Sequence, residues 1–307
     1  MLKIENVTKY YGKDILALDN ISFEIQRGEI VGFLGPNGAG KTTTMRILTG
    51  YLASTSGTAS IAGHDINKDS IEVKKRIGYL PENNPVYEDM GVIEYLEFIA
   101  EIRQLPESQK HGRIKHVISV CGLKDVLLKN IGELSRGYKQ RLGFAQAILH
   151  DPDVLVLDEP TSGLDPNQAR EVRSLIRELK KEKTVILSTH ILSEVQSVCD
   201  RVLIIHKGKI IASGTANELQ SLVQSKEKVY FEARTNKDLT ALLRSIPQVN
   251  EIETKLKEDS VQGYEIESGT DIREQLFEFA KDNKLIVREI HRVTISLEDV
   301  FRKLTEN

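Results

Sequence analysis

The stretch from Gly35 to Thr42 combines the residue types and spacing that hold the phosphates of a nucleotide. It reads Gly-Pro-Asn-Gly-Ala-Gly-Lys-Thr and matches the full pattern G-x-x-x-x-G-K-[ST]. Its glycines let successive backbone N–H groups face the phosphates. Lys41 can then reach the β- and γ-phosphates, and the Thr42 hydroxyl can bind Mg²⁺. An ordinary glycine-rich turn is the alternative, but the complete pattern favours a nucleoside triphosphate site.

Predicted secondary structure on both sides of this loop supports that interpretation. The apolar run from Ile30 to Leu34 predicts a short buried strand, and Thr43 to Leu48 predicts the beginning of a helix. The loop then lies at a helix N-terminus, where the partial positive charge attracts phosphate. The order strand, loop, helix therefore favours phosphate binding over a simple turn.

A pair of acids follows a second apolar run. Val154 to Leu157 predicts a buried strand, and Asp158 and Glu159 come directly after it. In phosphate-loop enzymes, a carboxylate at such a strand end holds Mg²⁺, usually through water. A second carboxylate can orient or deprotonate the attacking water. Acidic pairs also occur in solvated loops, but beside a phosphate loop this pair predicts a magnesium site with a general base.

Two further positions have both a functional and a structural interpretation. Ser135 is a natural N-cap for an apolar helix that runs through Leu149, so it marks a second helix N-terminus able to receive phosphate. A mere cap is the alternative. His190 follows the predicted strand from Thr184 to Ser188, and a single histidine is more often structural or on the surface. Its place just past a buried strand favours a catalytic role.

Length, composition and charge limit the class of protein. A chain of 307 residues predicts one larger and one smaller domain. Hydrophobic residues make up 40% and charged residues 28%, as in soluble globular proteins. The net charge of −3 argues against nucleic acid as the main partner, because phosphate-tracking surfaces are usually strongly basic. Cys121 and Cys199 are too few for a disulfide framework. No apolar stretch approaches the roughly 20 residues that span a bilayer.

Residues 1 to about 220 alternate strand-like and helix-like segments, which predicts an α/β domain. Continuous apolar runs such as Val185 to Leu187 suit strands that are buried on both faces of a parallel sheet. Residues 91–149 are predicted to be mostly helical, and Lys207-Gly208 predicts a hairpin turn. The polar stretch from Gln220 to Lys228 predicts a linker.

The C-terminal segment predicts a small α+β domain. Its elements follow the order β-α-β-β-α-β, which suggests a ferredoxin-like sandwich. In chain order, the predicted strands and helices cover residues 229–234, 238–246, 249–257, 261–267, 271–282 and 285–293. A closing helix begins with Ser296 and Asp299 in capping-box spacing. Structural support, dimer contact and regulation are open as roles for this domain, and its position favours the last two.

Together these motifs resemble the ATP-binding subunit of bacterial ABC (ATP-binding cassette) transporters, and the resemblance covers residues 1 to about 220. It implies a phosphate-loop NTPase cassette at residues 1–220, with a mostly parallel sheet and a helical subdomain at about 83–149. The α+β accessory domain follows at residues 221–307. In this family two cassettes pair head to tail, with ATP between one phosphate loop and the signature motif of the partner.

The resemblance also implies roles for individual residues. Glu159 would be the general base, and His190 would sense the γ-phosphate. Mg²⁺ would be held by Thr42, Glu82 and Asp158. The residues implied to contact ATP are Tyr11, Gly35, Pro36, Asn37, Gly38, Ala39, Gly40, Lys41, Thr42, Thr43, Ser135, Gly137 and Asp165.

Some of these ATP contacts have particular meanings in the family. Tyr11 would stack on adenine, although a tyrosine beside Gly12 can equally be a core residue. Ser135 and Gly137 would close the site of the partner subunit, and Asp165 would lie at the dimer seam.

The chain departs from the family pattern at three positions. The usual signature is L-S-G-G-Q, but here Arg136 replaces the first glycine and Tyr138 replaces the glutamine. Ser135 and Gly137 are retained, so capture of the γ-phosphate is expected to persist. The usual glutamine after the strand end Tyr79-Leu80-Pro81 is Glu82, which can bind Mg²⁺ but adds charge beside ATP. We expect altered magnesium dependence or coupling.

The segment Ile77–Tyr87, the segment Pro160–Gln168 and the terminal Leu297–Phe301 look most like the gliding-motility-associated subgroup of type-2 ABC exporters. That name is a sequence label and implies no motility. The resemblance implies ATP and Mg²⁺ as cofactors, a second ATP-binding subunit in a homodimer and a separate transmembrane permease, with no nucleic acid partner. It places the chain at the cytoplasmic face of the plasma membrane as a peripheral subunit.

Two other functions agree less well with the sequence. A soluble ABC-type ATPase acting on ribosomes or DNA is disfavoured by the single phosphate loop and by the lack of room for long coiled coils. A phosphate-loop GTPase requires N-K-x-D for guanine, and both Asn67-Lys68-Asp69-Ser70 and Asn236-Lys237-Asp238-Leu239 lack the final Asp.

Overall fold

The computed structural model describes residues 1–223, 227–258, 260–293 and 296–305. The chain forms two compact units, Met1–Ala216 and Asn217–Asn307. The predicted domain boundary at residue 220 falls inside a helix, Ala216–Val223.

The first unit contains strands and helices that alternate along the chain. Its strands are β1 (Leu2–Tyr11), β2 (Ile15–Ile25), β3 (Ile30–Leu34), β4 (Ser56–Ile61), β5 (His64–Asp65), β6 (Ile77–Leu80), β7 (Val154–Asp158), β8 (Thr184–Thr189), β9 (Arg201–His206) and β10 (Lys209–Gly214). Its helices are α1 (Lys41–Leu48), α2 (Ser70–Arg76), α3 (Val92–Ile102), α4 (Glu107–Val120), α5 (Arg136–Ile148), α6 (Pro166–Leu179) and α7 (Leu192–Val198), with 3₁₀ turns at Lys124–Val126 and Ile131–Glu133.

Two sheets form in this unit. The larger has the strand order β10-β9-β3-β8-β7-β6. Its neighbouring strands are parallel except for the hairpin of β9 and β10, which confirms the prediction of a mostly parallel sheet. β3, β7 and β8 are buried along their whole length, as strands covered on both faces must be. The smaller sheet is antiparallel, with the order β2-β1-β4-β5.

Helices α3, α4 and α5 share one hydrophobic core with part of the larger sheet. Tyr95, Val117 and Phe144 are among its fully buried side chains, one from each helix. The Tyr95 hydroxyl donates to the side-chain oxygen of Gln146 at 2.6 Å, so its polar end is satisfied inside this core. Residues 91–149 are mostly helical, as their apolar spacing predicts.

The second unit is built on a four-stranded antiparallel sheet. After α8 (Ala216–Val223), its elements are β11 (Glu227–Arg234), α9 (Thr240–Leu243), β12 (Val249–Glu258), β13 (Val261–Ser268), α10 (Arg273–Asp282), β14 (Ile286–Arg292) and α11 (Leu297–Thr305). The strand order is β12-β13-β11-β14. The first and third strands are therefore central, as in a ferredoxin-like sandwich. Ser296 and Asp299 form the expected reciprocal cap of α11.

The predicted linker at Gln220 to Lys228 is wrong in its described part. Helix α8 continues to Val223 and β11 begins at Glu227. The remainder, residues 224–226, lies outside the described residues. The polar residues between Gln220 and Lys228 misled the prediction, although Leu219, directly before them, is fully buried and gives helix α8 an apolar contact.

The predicted helix at residues 238–246 is also too long, because only Thr240–Leu243 is helical. The Asp238 carboxylate accepts hydrogen bonds from the Thr240 backbone N–H at 2.8 Å and from its hydroxyl at 2.6 Å. Ser245 donates its hydroxyl to the Leu242 carbonyl at 2.6 Å at the other end. Side-chain bonds of this kind compete with helical bonds and restrict the helix to one turn.

Candidate functional site

Three parallel strands end side by side at one edge of the larger sheet. β8 lies between β3 and β7, with Ser188 opposite Asp158. The phosphate loop follows β3, Glu159 follows β7 and His190 follows β8. The sheet therefore brings these predicted residues together at the carboxyl ends of its strands, where ligands bind in open α/β sheets.

The phosphate loop requires glycine at two positions for its shape. Gly38 and Gly40 have φ values of 79° and 111°, in the left-handed region that favours glycine. A Cβ on Gly40 would also lie 2.8 Å from the carbonyl oxygen of Ala17. The loop thus packs backbone against backbone before it enters helix α1.

A cavity of about 550 Å³ lies beside the loop, within the size range of small-molecule sites. The predicted site residues that line it are Tyr11, Asn37, Gly38, Gly40, Lys41, Thr42, Thr43, Glu82, Glu159 and His190. Most of the residues that were predicted from separate motifs therefore face one space. Ala39 is buried beneath the loop.

The Lys41 ammonium group lies at the centre of the polar contacts. It donates to the carbonyl oxygens of Gly35 at 2.8 Å and Pro36 at 3.4 Å. It also forms an ion pair with Glu159, with 3.3 Å between Nζ and Oε1. Only 6% of the lysine side chain is exposed, so its charge is held in a fixed place by the loop that surrounds it.

Asp158 is positioned by two hydroxyl groups. Its Oδ1 atom accepts hydrogen bonds from Ser188 Oγ at 2.5 Å and from Thr42 Oγ1 at 3.3 Å. Burial raises the pKa of this carboxyl, and the two hydroxyl bonds oppose that rise. A hydroxyl and a carboxylate are hard oxygen ligands suited to Mg²⁺, with phosphate and water oxygens left to complete an octahedron. The donor set therefore fits the predicted metal.

Glu159 has a strained backbone and a fixed carboxylate. Its φ of 48° is in the left-handed region, which is uncommon for a residue other than glycine. Its backbone N–H donates to the Ser188 hydroxyl at 3.0 Å. Its Oε2 atom is 2.9 Å from His190 Nδ1. The carboxylate thus lies between Lys41 and His190, at the cavity.

Tyr11 has 37% of its surface exposed and lines the cavity, so the alternative of a core residue is wrong. Its hydroxyl is 3.3 Å from Thr43 Oγ1. The ring is therefore free to present a face to a planar group in the cavity.

Three predicted residues lie apart from this cavity, at other helix N-termini. Ser135 caps α5 and accepts from the backbone N–H of Tyr138 at 3.4 Å, and Gly137 is buried in the first turn of that helix. Asp165 caps α6 and accepts from the backbone N–H groups of Asn167 and Gln168. None of the three is among the residues that line the described cavity.

Several residues of the site carry no sequence motif. Ile15, Leu16 and Ala17 line the cavity, and the Ser188 hydroxyl binds the Asp158 carboxylate and the Glu159 backbone N–H. Ser188 is one of three hydroxyl residues in the buried strand Thr184–Thr189, so its residue type alone does not mark it as part of the site.

Glu194 is a further unpredicted residue, and it links two loops of the site. Only 4% of it is exposed. Its carboxylate accepts hydrogen bonds from Thr161 and from Thr189, the latter at 2.6 Å. It therefore joins the loop after Glu159 to the strand end before His190. Burial raises the pKa of this carboxyl, opposed by the bond from Thr189.

Protein stability is expected to depend on the ionisation of Glu194. Because the folded chain disfavours the charged form, stability falls as pH rises through the raised pKa and recovers below it. The Glu194→Gln variant lacks this titration. The difference in unfolding free energy should therefore shift in favour of the wild type as pH is lowered from about 7 to the ordinary pKa of 4.5. Urea unfolding of both proteins measures this, and a difference independent of pH would contradict it.

Among the described residues, no helix combines the length and apolar character that crossing a membrane requires. No group of three or more His, Cys, Asp or Glu side chains in the described ranges could hold a metal ion by itself.

Comparison with known proteins identifies the family. The sequence model described as "ABC transporter" matches residues 18–162. The ABC transporter ATP-binding protein YxlF of Bacillus subtilis (strain 168) is 38% identical over 304 residues, which cover 99% of each chain. The bacitracin transport ATP-binding protein BcrA of Bacillus licheniformis is 35% identical over 99% of this chain and 97% of its own.

A solved structure shows the same fold in a nucleotide-bound state. The dimeric ATP-binding cassette MJ0796, bound to ADP and phosphate after hydrolysis, has a TM-score of 0.63 and 25% identity, over 70% of this chain and 98% of that cassette. YxlF and BcrA align along nearly the whole chain, and residues of the phosphate loop, Glu159 and His190 line one cavity. The chain belongs to the ABC transporter family and is an ATP-binding, ATP-hydrolysing subunit.

Proposed function

We propose that two copies of this chain pair head to tail, bind ATP between them and drive a separate transmembrane permease. The observation that carries the proposal is the separation of the site residues into two sets. Lys41, Glu159 and His190 contact one another at the cavity. Ser135 and Gly137 lie at the N-terminus of α5 and are not among the residues that line this cavity. A site shared between two copies uses both sets.

The residues at the cavity support particular catalytic roles. Lys41 would donate to the β- and γ-phosphates and offset their charge. Glu159 would accept a proton from the attacking water, while the bond from His190 orients the carboxylate. Mg²⁺ would be held by Thr42, Asp158 and Glu82, and it would neutralise charge that develops on the phosphates.

Tyr11 would stack on the adenine ring, because its exposed face borders the cavity. Ser135 and Gly137 would bind the γ-phosphate of the ATP that is held by the other copy. Asp165 would lie at the seam between the two copies. The assignments of Ser135, Gly137 and Asp165 rest on their positions at the N-termini of α5 and α6.

The chain would act at the cytoplasmic face of the plasma membrane, attached through its permease, and would power export. The relative BcrA is named for bacitracin transport. The similarity of residues 77–87 and 160–168 to the gliding-motility-associated type-2 exporters supports export as the direction of transport. The second unit would serve dimer contact or regulation.

Affinity purification of the tagged chain from its native membranes in mild detergent tests this function. Stoichiometric recovery of a multi-span membrane protein, identified by mass spectrometry, is the expected result. Size-exclusion chromatography of the Glu159→Gln variant should also show a dimer in ATP and a monomer without it. Recovery of ribosomal or DNA-repair proteins with no membrane protein would overturn the proposal.

The Glu82→Gln variant tests the departure from the usual glutamine. Glu82 lines the cavity together with Thr42, so its carboxylate adds negative charge beside the phosphates. Glutamine would remove this charge and weaken the metal ligand. We expect the half-saturating Mg²⁺ concentration for ATPase activity to change about twofold to tenfold. Titration of ATPase rate with Mg²⁺ measures it, with the exposed Glu178→Gln as control. Unchanged Mg²⁺ response, ATPase rate and transport would contradict the assigned role.

A further inference from the structure

We propose that Arg136 is a positioning residue for Glu159, acting by tying the N-terminus of helix α5 to residues 160–165 of the same chain. We call residues 160–165 the post-acid loop. The inference rests on the proposed function, because it concerns the same reaction. It adds a role to the position where the chain departs from the usual glycine of the signature motif.

Two side chains of α5 hold the post-acid loop by its carbonyl groups. Arg136 Nη2 donates to the carbonyl oxygen of Ser162 at 2.8 Å. One turn later on the same helix face, Gln140 Nε2 donates to the carbonyl oxygen of Pro160 at 2.7 Å. Since neither bond depends on a side chain of the loop, the helix fixes the backbone path itself.

The backbone path of this loop determines where Glu159 lies. The Ser162 backbone N–H donates to the carbonyl oxygen of Glu159 at 3.0 Å, which closes a tight turn. Ser162 also lines the ATP cavity beside Glu159. Because Arg136 binds the carbonyl of the same Ser162, a displacement of the guanidinium moves the turn that carries the carboxylate.

Gly163 makes room for the arginine. Its φ of 66° is in the left-handed region, and a Cβ at this position would overlap the Arg136 guanidinium. The loop thus accommodates the guanidinium against a bare Cα. A glycine in place of Arg136 has no side chain to donate, so this contact depends on the departure itself.

An exposed hydrogen bond of this kind fixes the position of the post-acid loop more than it stabilises the fold. Arg136 is exposed, and hydrogen bonds from charged groups at exposed sites contribute modestly to folding. Misplacement of a catalytic group, in contrast, directly reduces the rate of the chemical step. The role we assign therefore changes kcat more than thermal stability or ATP affinity.

The test compares four variants of the full chain with the wild type: Arg136→Ala, Arg136→Lys, Gly163→Ala and the double variant. Arg136→Ala should lower kcat about threefold to tenfold, with KM and the affinity for ATP within about twofold. Arg136→Lys should restore part of the rate, since its ammonium can still donate to the Ser162 carbonyl. Gly163→Ala should lower kcat as well, because it displaces the guanidinium and strains the loop.

The double variant tests whether Arg136 and Gly163 act through their contact with each other. If Arg136 acts through the post-acid loop, Gly163→Ala should lower kcat by a smaller factor in the Arg136→Ala background than in the wild type. Multiplicative effects of the two changes would overturn the proposal, and so would wild-type kcat in Arg136→Ala.

Arg113→Ala is the matched control. Arg113 donates to the carbonyl oxygens of Ile148 and Leu149 at the other end of α5. Its loss should lower the melting temperature and leave kcat per folded molecule unchanged. Glu159→Gln, measured in parallel, distinguishes a failure of the Arg136 inference from a failure of the proposed catalytic assignment. If it is inactive while Arg136→Ala equals the wild type, only the Arg136 inference fails. If it hydrolyses ATP at the wild-type rate, the proposed catalytic assignment fails.

Discussion

The Glu159→Gln variant is expected to lose ATP turnover by about 10²- to 10⁴-fold while it still binds ATP. Glutamine keeps the size of the side chain and can still contact His190 and Lys41. It cannot accept a proton from water, which is the step assigned to the carboxylate. Steady-state ATPase assays and titration with a fluorescent ATP analogue measure the two quantities separately.

An exposed glutamate in the same unit provides the control for this substitution. Glu171 pairs with Arg141 on the surface, and 58% of its side chain is exposed. Glu171→Gln should leave both turnover and binding near wild type, because a surface ion pair contributes little. If Glu159→Gln retained wild-type turnover, the general base would have to be another group. If it lost ATP binding as well, the carboxylate would serve mainly to hold Lys41.

The parts of the site that could be predicted from sequence are those fixed by contiguous residues. The phosphate loop is a local structure, since a strand, three glycines and a helix N-terminus specify its shape within a dozen or so residues. The acidic pair could be placed for the same reason. The apolar runs Val154–Leu157 and Val185–Leu187 predicted strands buried in a parallel sheet. The structure shows that these strands are neighbours, and that residues of the phosphate loop and Glu159 line one cavity.

The residues that could not be predicted depend on packing between distant segments. Ile15, Leu16 and Ala17 reach the cavity because the antiparallel sheet packs beside the phosphate loop, and nothing in their own sequence marks that contact. Ser188 acts through its hydrogen bond to Asp158, which lies on the neighbouring strand β7. Arg136 could be recognised as a departure from a pattern, but its bond to Ser162 requires the relative position of α5 and the post-acid loop.

The errors in element boundaries have a different cause. Polar residues at 220–228 indicated a linker, although one buried leucine suffices to hold a short helix. At residues 238–246 the periodicity favoured a longer helix, but Asp238 and Ser245 bond to nearby backbone groups instead. Local side-chain bonds of this kind outweigh helix propensity over such short segments.

The Lys41→Met variant is expected to lose ATP affinity by at least about 100-fold. Methionine fills similar space but removes the charge that lies among the carbonyl oxygens of the loop and beside Glu159. The phosphates would then lack their main cationic partner in the protein. Isothermal titration with ATP measures the loss, and Lys75→Met, on the exposed surface of α2, is the control. Binding within about threefold of wild type would contradict the role of Lys41.

Lys41→Met should also show how much the ion pair between Lys41 and Glu159 contributes to stability in the absence of nucleotide. Lys41→Met leaves the Glu159 carboxylate, 7% exposed, with His190 as its remaining partner. Removing one member of a buried pair costs up to about 3–5 kcal/mol, and the retained contact with His190 reduces this to about 1–2 kcal/mol here. In the Glu159→Gln background no charge is left unpaired, so Lys41→Met should destabilise less. Thermal unfolding of the four proteins of this cycle measures the coupling between Lys41 and Glu159. Equal shifts in both backgrounds would mean that the 3.3 Å contact contributes nothing to stability, and that the loop carbonyls alone hold the lysine in place.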